Sequence, residues 1–158
     1  MMNKYYNNEI VLPKGITGFT SINDFFEIPK INKDSILFKI EVLSTSLIDF
    51  EIPTSDRNYY CLTFIAKKDQ KKYIVLFNSH FNFFAGVDKI DWMEKEFINL
   101  PDFIVQHFEE NNFRYLNKDF LMNTLTKDIL KNLAKIEIEQ IDYWESSTVG
   151  EIVFNEYD

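Results

Sequence analysis

The sequence predicts a single α+β domain spanning residues 1–158, in which a mainly antiparallel sheet from the N-terminal two-thirds packs against C-terminal helices and a short terminal strand. A length of 158 residues fits one domain. Apolar β-rich runs occur before residue 90, whereas helical periodicity follows it. The chain is 46% apolar and 16% aromatic, with only four Gly and four Pro, which favours regular elements around a packed core over disorder.

The first elements are expected soon after a turn-rich segment that contains Pro13, Gly15 and Gly18. The stretch TSINDFFEIPK predicts a short helix, with Thr20 or Ser21 as its N-cap and Pro29 at its end. The stretch SILFKIEVL, residues 35–43, is apolar and β-branched and predicts a strand.

A β-hairpin is the clearest local prediction. Residues 59–66 and 72–78 are two β-rich apolar runs joined by the polar KKDQK. Both runs are apolar at nearly every position, which indicates central strands covered on both faces. A short edge strand is predicted at 47–52 and a third main strand at 80–87.

Helices are predicted after residue 90, in four successive segments. Residues 91–100 and 101–110 place apolar side chains at helical spacing, and Pro101 suits a first turn. A third helix begins after an Asn117 cap. Residues 126–144 keep the same spacing over about five turns.

The C-terminal segment is the most unusual part of the chain. The net charge is −8, and the last 23 residues hold seven of the 25 acidic residues but none of the 17 Lys and Arg. In the predicted long helix, Glu137, Glu139 and Asp142 lie off the apolar stripe and near a helix C-terminus, where the dipole disfavours anions. Gly150 is expected to break the chain before a terminal strand, EIVFN, with Ile152 and Phe154 facing inward.

An acidic surface repels phosphate backbones and anionic lipid, so neither nucleic acid nor membrane is an expected partner, whereas a basic protein is. The aromatic side chains of the same segment suit interface anchors. The predicted partner-binding residues are Glu137, Glu139, Asp142, Tyr143, Trp144, Glu145, Glu151, Glu156 and Tyr157.

Catalytic, metal-binding and cofactor motifs are missing from the sequence. It contains no nucleophile elbow, P-loop, dinucleotide fingerprint or zinc spacing, so neither a metal nor a cofactor is expected. The single cysteine, Cys61, falls inside an apolar strand and is predicted to be a buried, inert thiol. Absence of a disulfide pair, a signal peptide and a spanning apolar run together predict a cytoplasmic protein.

The C-terminal sequence contains a recurrent pattern, QI-YW---TVG-IIFN-WD, at Gln140, Ile141, Tyr143, Trp144, Thr148, Val149, Gly150, Ile152, Phe154, Asn155 and Asp158. On these residues it resembles a family of small bacterial proteins that are uncharacterised or associated with immunity to polymorphic toxins. Tyr157 stands where the pattern has a second Trp. LPKGITGF and YIVLFNSHFNFFAGV also occupy places where the family's other recurrent stretches are expected. The resemblance implies a single α+β domain with no known catalytic activity, and a toxin-neutralising role by association.

Two hypotheses of function follow, from different classes. The first is a non-catalytic binding protein, an immunity protein whose acidic segment occludes a basic toxin such as a nuclease. The alternative is a small-molecule-binding protein or enzyme with a cleft beside Asn78 and His80, in the NSHF turn. An obligate oligomer that pairs its terminal strand across a dimer is a third possibility.

Overall fold

The computed structural model describes residues 10–23, 25–91 and 94–157. The strands are β1 (Ser44–Glu51), β2 (Tyr59–Ala66), β3 (Lys72–Asn78), β4 (Phe83–Asp91), β5 (Glu94–Ile98) and β6 (Arg114–Tyr115). The helices are α1 (Lys33–Leu37), α2 (Ile40–Leu43), α3 (Asp102–Glu110), α4 (Lys118–Leu121), α5 (Lys127–Leu130), α6 (Lys135–Trp144) and α7 (Val149–Val153).

Strands β1 to β5 form an antiparallel sheet in chain order, and the short β6 pairs in parallel with β4. The predicted hairpin is confirmed as β2 and β3, in the interior of the sheet. The predicted edge strand is confirmed as β1, which begins three residues earlier than expected. The third predicted strand is β4, shifted toward the C-terminus to residues 83–91.

Both faces of the sheet are covered, as the uninterrupted apolar strands predict. Leu76 of β3 packs on one face, called here the C-terminal face, against a cluster that includes residues 149–154 of the chain end and residues 10–16 of its start. Val75 and Phe77 point the other way, toward α1 and α3. Alternation of side chains along each strand therefore divides the core into two layers. The predicted α+β domain, with its mainly antiparallel sheet and C-terminal helices, is confirmed.

The predicted strand at 35–43 is wrong, because this segment forms α1 and α2. The Asn32 side chain caps α1 by accepting from the Asp34 amide at 2.8 Å. Lys39 has a left-handed backbone conformation, with φ of 55°, and separates the two short helices. Ile36 and Leu43 are buried against the sheet, so the apolar residues cover it rather than join it.

The predicted helix at 91–100 is wrong, because Glu94–Ile98 form strand β5. β5 pairs along β4 and buries Phe97 on the C-terminal face. Of the apolar residues behind the helical prediction, Trp92 and Met93 lie outside the described residues. The described part of 20–30 contains no helix either, and the Ile31 amide instead donates to the Ser79 carbonyl at 2.8 Å.

The C-terminal third is helical, but its helices are shorter than predicted. Helix α3 and the Asn117 cap of α4 are confirmed. The five-turn helix at 126–144 is interrupted between α5 and α6. The prediction of a terminal strand is wrong, because its residues belong to α7 and the segment after it. Ile152, Val153 and Phe154 are all buried there. No helix in the described ranges is both long and apolar enough to cross a bilayer.

Candidate functional site

Glu137 is fully buried, contrary to its predicted place on an acidic surface. It is the third residue of α6, and its carboxylate accepts hydrogen bonds from the amides of Gly15, Thr17 and Ala134 at 3.0–3.1 Å. The Thr17 hydroxyl donates to it at 2.7 Å. Because α6 begins at Lys135, the carboxylate lies at the helix N-terminus, where the dipole favours an anion. Glu137 therefore connects the turn at residues 15–17 to the start of α6.

Glu151 is also used within the fold. It accepts hydrogen bonds from the amides and hydroxyls of both Ser147 and Thr148, at 3.0–3.1 Å. Partial burial opposes ionisation of this carboxyl, but the hydrogen bonds outweigh burial and lower its pKa. Since Thr148 is the N-cap of α7, Glu151 completes a capping box at the helix start.

Glu156 is engaged by two neighbours on the C-terminal face. Lys95 Nζ lies 2.8 Å from Glu156 Oε1, and the Tyr59 hydroxyl donates to Oε2 at 2.8 Å. The Lys95 side chain is only 8% exposed and also lies over the Tyr59 ring. Burial, followed by the bond to Glu156, raises the pKa of Tyr59. This ion pair fixes the chain end to β2 and β5 and leaves Glu156 little capacity for an outside partner.

Four predicted partner-binding residues remain exposed on and just after the last turns of α6. They are Glu139, Asp142, Tyr143 and Glu145, called here the α6 surface. Tyr143 is 75% exposed. None of the three carboxylates forms an ion pair with any residue in the described ranges.

A series of aromatic ring contacts connects the exposed Tyr143 to the core. Its ring meets Trp144 edge-on at 5.4 Å, and Trp144 stacks on the buried Tyr157 at 5.8 Å with an interplanar angle of 10°. Tyr157 contacts Phe19 in turn. Trp144 and Tyr157, both predicted to touch a partner, thus act mainly as the base on which Tyr143 stands.

Asn78 is part of the core rather than of an open pocket. Its fully buried side chain donates to the carbonyls of Ile16 and Val153, at 3.2 and 2.7 Å, and accepts from the amides of His80 and Phe81. Every polar atom of the amide is therefore engaged. Asn78 joins Ile16 and Val153 to the end of β3 and is not available to a ligand.

His80 lines a cleft in the described part of the structure. Its Nδ1 lies 2.9 Å from the Pro29 carbonyl, so this nitrogen carries the proton. Burial lowers the pKa of His80, which favours the neutral ring.

The cleft has a volume of about 550 Å³ and is called here the basic cleft. Lys30, Lys33 and Arg57 line it together with His80, and its described lining contains no Asp or Glu. Apolar surface comes from residues such as Ile31 and Tyr60. The size and mixed lining are typical of a small-molecule site.

The chain matches no protein-family model, no curated protein and no solved structure. The family resemblance of the C-terminal sequence therefore stays a prediction. Within the described ranges, no three His, Cys, Asp or Glu side chains group in a way that could hold a metal ion. Cys61 is buried as predicted, and burial, reinforced by the charge of Glu51, raises the pKa of its thiol to about 11.

Sequence reasoning placed the basic cleft only in part. It pointed to His80 but missed Lys30, Lys33 and Arg57, which come from separate segments that meet only in the fold. It also missed the roles of Glu137 and Glu151. The T-V-G-E stretch at 148–151 is a capping-box pattern and could have revealed Glu151 as a cap, whereas Glu137 binds partners about 120 positions away and has no such local signal.

Proposed function

We propose that this protein is a non-catalytic binding protein that recognises a basic protein partner through the α6 surface. The observation that carries the proposal is Tyr143, an exposed ring held edge-on by Trp144 and accompanied by three exposed carboxylates. An exposed aromatic residue on a rigid base is the usual centre of a binding hot spot, because little side-chain entropy is lost on association.

The carboxylates of Glu139, Asp142 and Glu145 give the surface its partner preference. Lys or Arg side chains of a basic partner form charge-assisted hydrogen bonds with them. The net charge of the whole chain, −8, accelerates encounter with such a partner. This surface is smaller than the sequence predicts, since Glu137, Glu151 and Glu156 serve the fold.

The resemblance of the C-terminal sequence to immunity proteins supports a toxin as the basic partner. Under this proposal the protein acts in the cytoplasm and occludes the active site of a basic toxin, such as a nuclease, with the carboxylates imitating a phosphate backbone. The support is the resemblance together with the charge of the α6 surface.

The test compares two triple variants that change the net charge equally. E139Q/D142N/E145Q removes the α6 carboxylates, and E41Q/D88N/E96Q removes three exposed carboxylates elsewhere. A basic partner is first isolated with the tagged protein, and association kinetics are then measured at several salt concentrations. We expect the α6 variant to slow association about tenfold at low salt and to flatten its salt dependence, beyond any effect of the control.

A second variant tests the aromatic anchor. Y143A removes the exposed ring, and we expect the dissociation constant to rise about 30-fold, mainly through faster dissociation. Equal binding by the two triple variants, or unchanged binding by Y143A, would sink the proposal.

A further inference from the structure

We propose that the basic cleft is a binding site for a small organic anion that carries a phosphate or carboxylate group on an apolar ring. The site is separate from the α6 surface and does not depend on the function proposed for it.

Charge is the first argument. The chain carries −8, yet the described lining of the basic cleft has Lys30, Lys33 and Arg57 and no carboxylate. Lys30 and Lys33 form no ion pair with any described residue. A concave site of one charge sign, with low-dielectric walls, concentrates the field on a ligand of the opposite sign. The cleft therefore selects anions in a protein that otherwise repels them.

The lysine-bearing segment is fixed in place before any ligand binds. The Ile31 amide donates to the Ser79 carbonyl, and the Tyr60 hydroxyl donates to the Ile31 carbonyl, both at 2.8 Å. The His80 ring donates to the Pro29 carbonyl. These three bonds tie residues 29–31 to the strand ends, so the backbone that carries Lys30 loses little entropy on binding.

Arg57 is oriented by the protein but not fully satisfied by it. Nη1 donates to Glu51 and Nη2 to the Ile52 carbonyl, both at 2.9 Å. Nε is buried and has no acceptor among the described residues. Because Glu51 offsets part of the guanidinium charge, Lys30 and Lys33 supply most of the attraction and Arg57 supplies a positioned donor group.

Rigid polar residues form part of the cleft wall. The Asn58 side chain donates to the Ile16 carbonyl at 3.0 Å and accepts from the Asn155 amide at 2.8 Å. The Asn155 side chain donates to Thr17 and Ile152 carbonyls. These buried amides keep the cleft open by fixing three chain segments around it.

The apolar lining of the basic cleft indicates that the ligand carries an apolar ring besides its anionic group. Phe19, Ile31, Ile52 and Tyr60 contribute to the lining, and Tyr60 is held by a stacked Phe50 at 5.7 Å. Inorganic phosphate would leave this surface in water, whereas an apolar ring buries it. The acidic remainder of the protein opposes a polymeric phosphate chain, which favours a small molecule over nucleic acid.

The probes are phenyl phosphate, phenylacetate, benzyl alcohol and inorganic phosphate, measured by isothermal titration calorimetry with the full chain. We expect at least one of the two ring anions to bind at millimolar concentration or tighter, and more tightly than benzyl alcohol and inorganic phosphate. Comparison of phenyl phosphate with phenylacetate identifies the preferred anionic group. Failure of both ring anions to bind would overturn the proposal, as would equal binding of benzyl alcohol.

Variants locate the site. K30Q/K33Q removes both exposed lysines and should weaken binding about tenfold, whereas K67Q/K71Q changes the same charge in the β2–β3 turn and should leave it unchanged. S55W introduces a bulky ring at the exposed rim and should abolish binding without a change in charge. Equal affinity of the two lysine variants would refute an anion site here, and binding retained by S55W would refute the location.

Discussion

The Thr17 hydroxyl donates to Glu137 Oε1 at 2.7 Å, and the Thr17 amide donates to the same oxygen at 3.1 Å. These bonds join the start of the chain to α6 across 120 positions. The turn that contains Gly15 and Thr17 also contributes to the C-terminal face and to the basic cleft. This buried carboxylate therefore helps to fix the position of residues 15–17, together with the Asn58 and Asn78 side chains, which both donate to the Ile16 carbonyl.

We expect Glu137→Gln to destabilise the protein by about 3 kcal/mol. The new side-chain amide would place its NH2 group against the amides and hydroxyl that now donate to the carboxylate, and the negative charge that these donors stabilise would be lost. Glu139→Gln, two positions further along the same helix but exposed, should change the free energy of unfolding by less than about 0.5 kcal/mol. Urea denaturation of both variants measures the difference. Similar stabilities would contradict the role assigned to Glu137.

Gly150→Ala should cost about 1–3 kcal/mol through overpacking. A Cβ at Gly150 would lie 2.5 Å from Phe97 Cε2, in the contact between α7 and β5. The backbone at this position is helical, so conformational strain is not the cause. Thermal or urea denaturation gives the cost, and a Phe97→Leu background should relieve much of it in a double-mutant cycle. An equal cost in both backgrounds would show that the ring is not responsible.

Stability should fall as the pH drops below 6.5, in part because of His80. Burial, the larger effect, and the nearby charge of Lys30 lower its folded-state pKa, while the Pro29 hydrogen bond and the charge of Glu137 oppose the shift. The unfolded state therefore takes up a proton that the folded state resists, and stability is lost between 6.5 and the lower folded-state pKa. Burial lowers the pKa of His107 too.

Urea denaturation across this pH range separates the two histidines. His80→Gln should reduce the pH slope of the free energy of unfolding, and His107→Gln should remove a further part. A slope unaltered by His80→Gln would contradict the neutral, half-buried state assigned to this ring.

Cys61 should react slowly with a disulfide reagent in the folded protein. With a thiol pKa of about 11, only about one thiol in a thousand is ionised at pH 8, and the side chain is 5% exposed. The reaction is followed by measuring the thiolate that the reagent releases as Cys61 reacts. Its rate should rise sharply when denaturant unfolds the protein. Rapid labelling of the native protein would contradict the burial of this thiol.

Local pattern was sufficient where an element is stabilised by its own sequence and by apolar alternation. The β2–β3 hairpin, α3 and the Asn117 cap of α4 were all predicted because periodicity, turn residues and capping act over a few positions. The same reasoning failed at 35–43, where apolar β-branched residues fit a strand or a helix equally well, and burial of Ile36 and Leu43 on the sheet decided for helices.

The sequence by itself determined an α+β domain, a central hairpin covered on both faces and an acidic chain end, since composition and short-range periodicity carry that information. Tertiary structure decided which acidic residues remain exposed and where the basic residues gather. Intramolecular hydrogen bonds or an ion pair engage three of the acidic residues, Glu137, Glu151 and Glu156. One cleft is lined by three basic residues from separate segments, Lys30, Lys33 and Arg57. Most of these arrangements depend on contacts between distant segments, whose energies no local window of sequence contains.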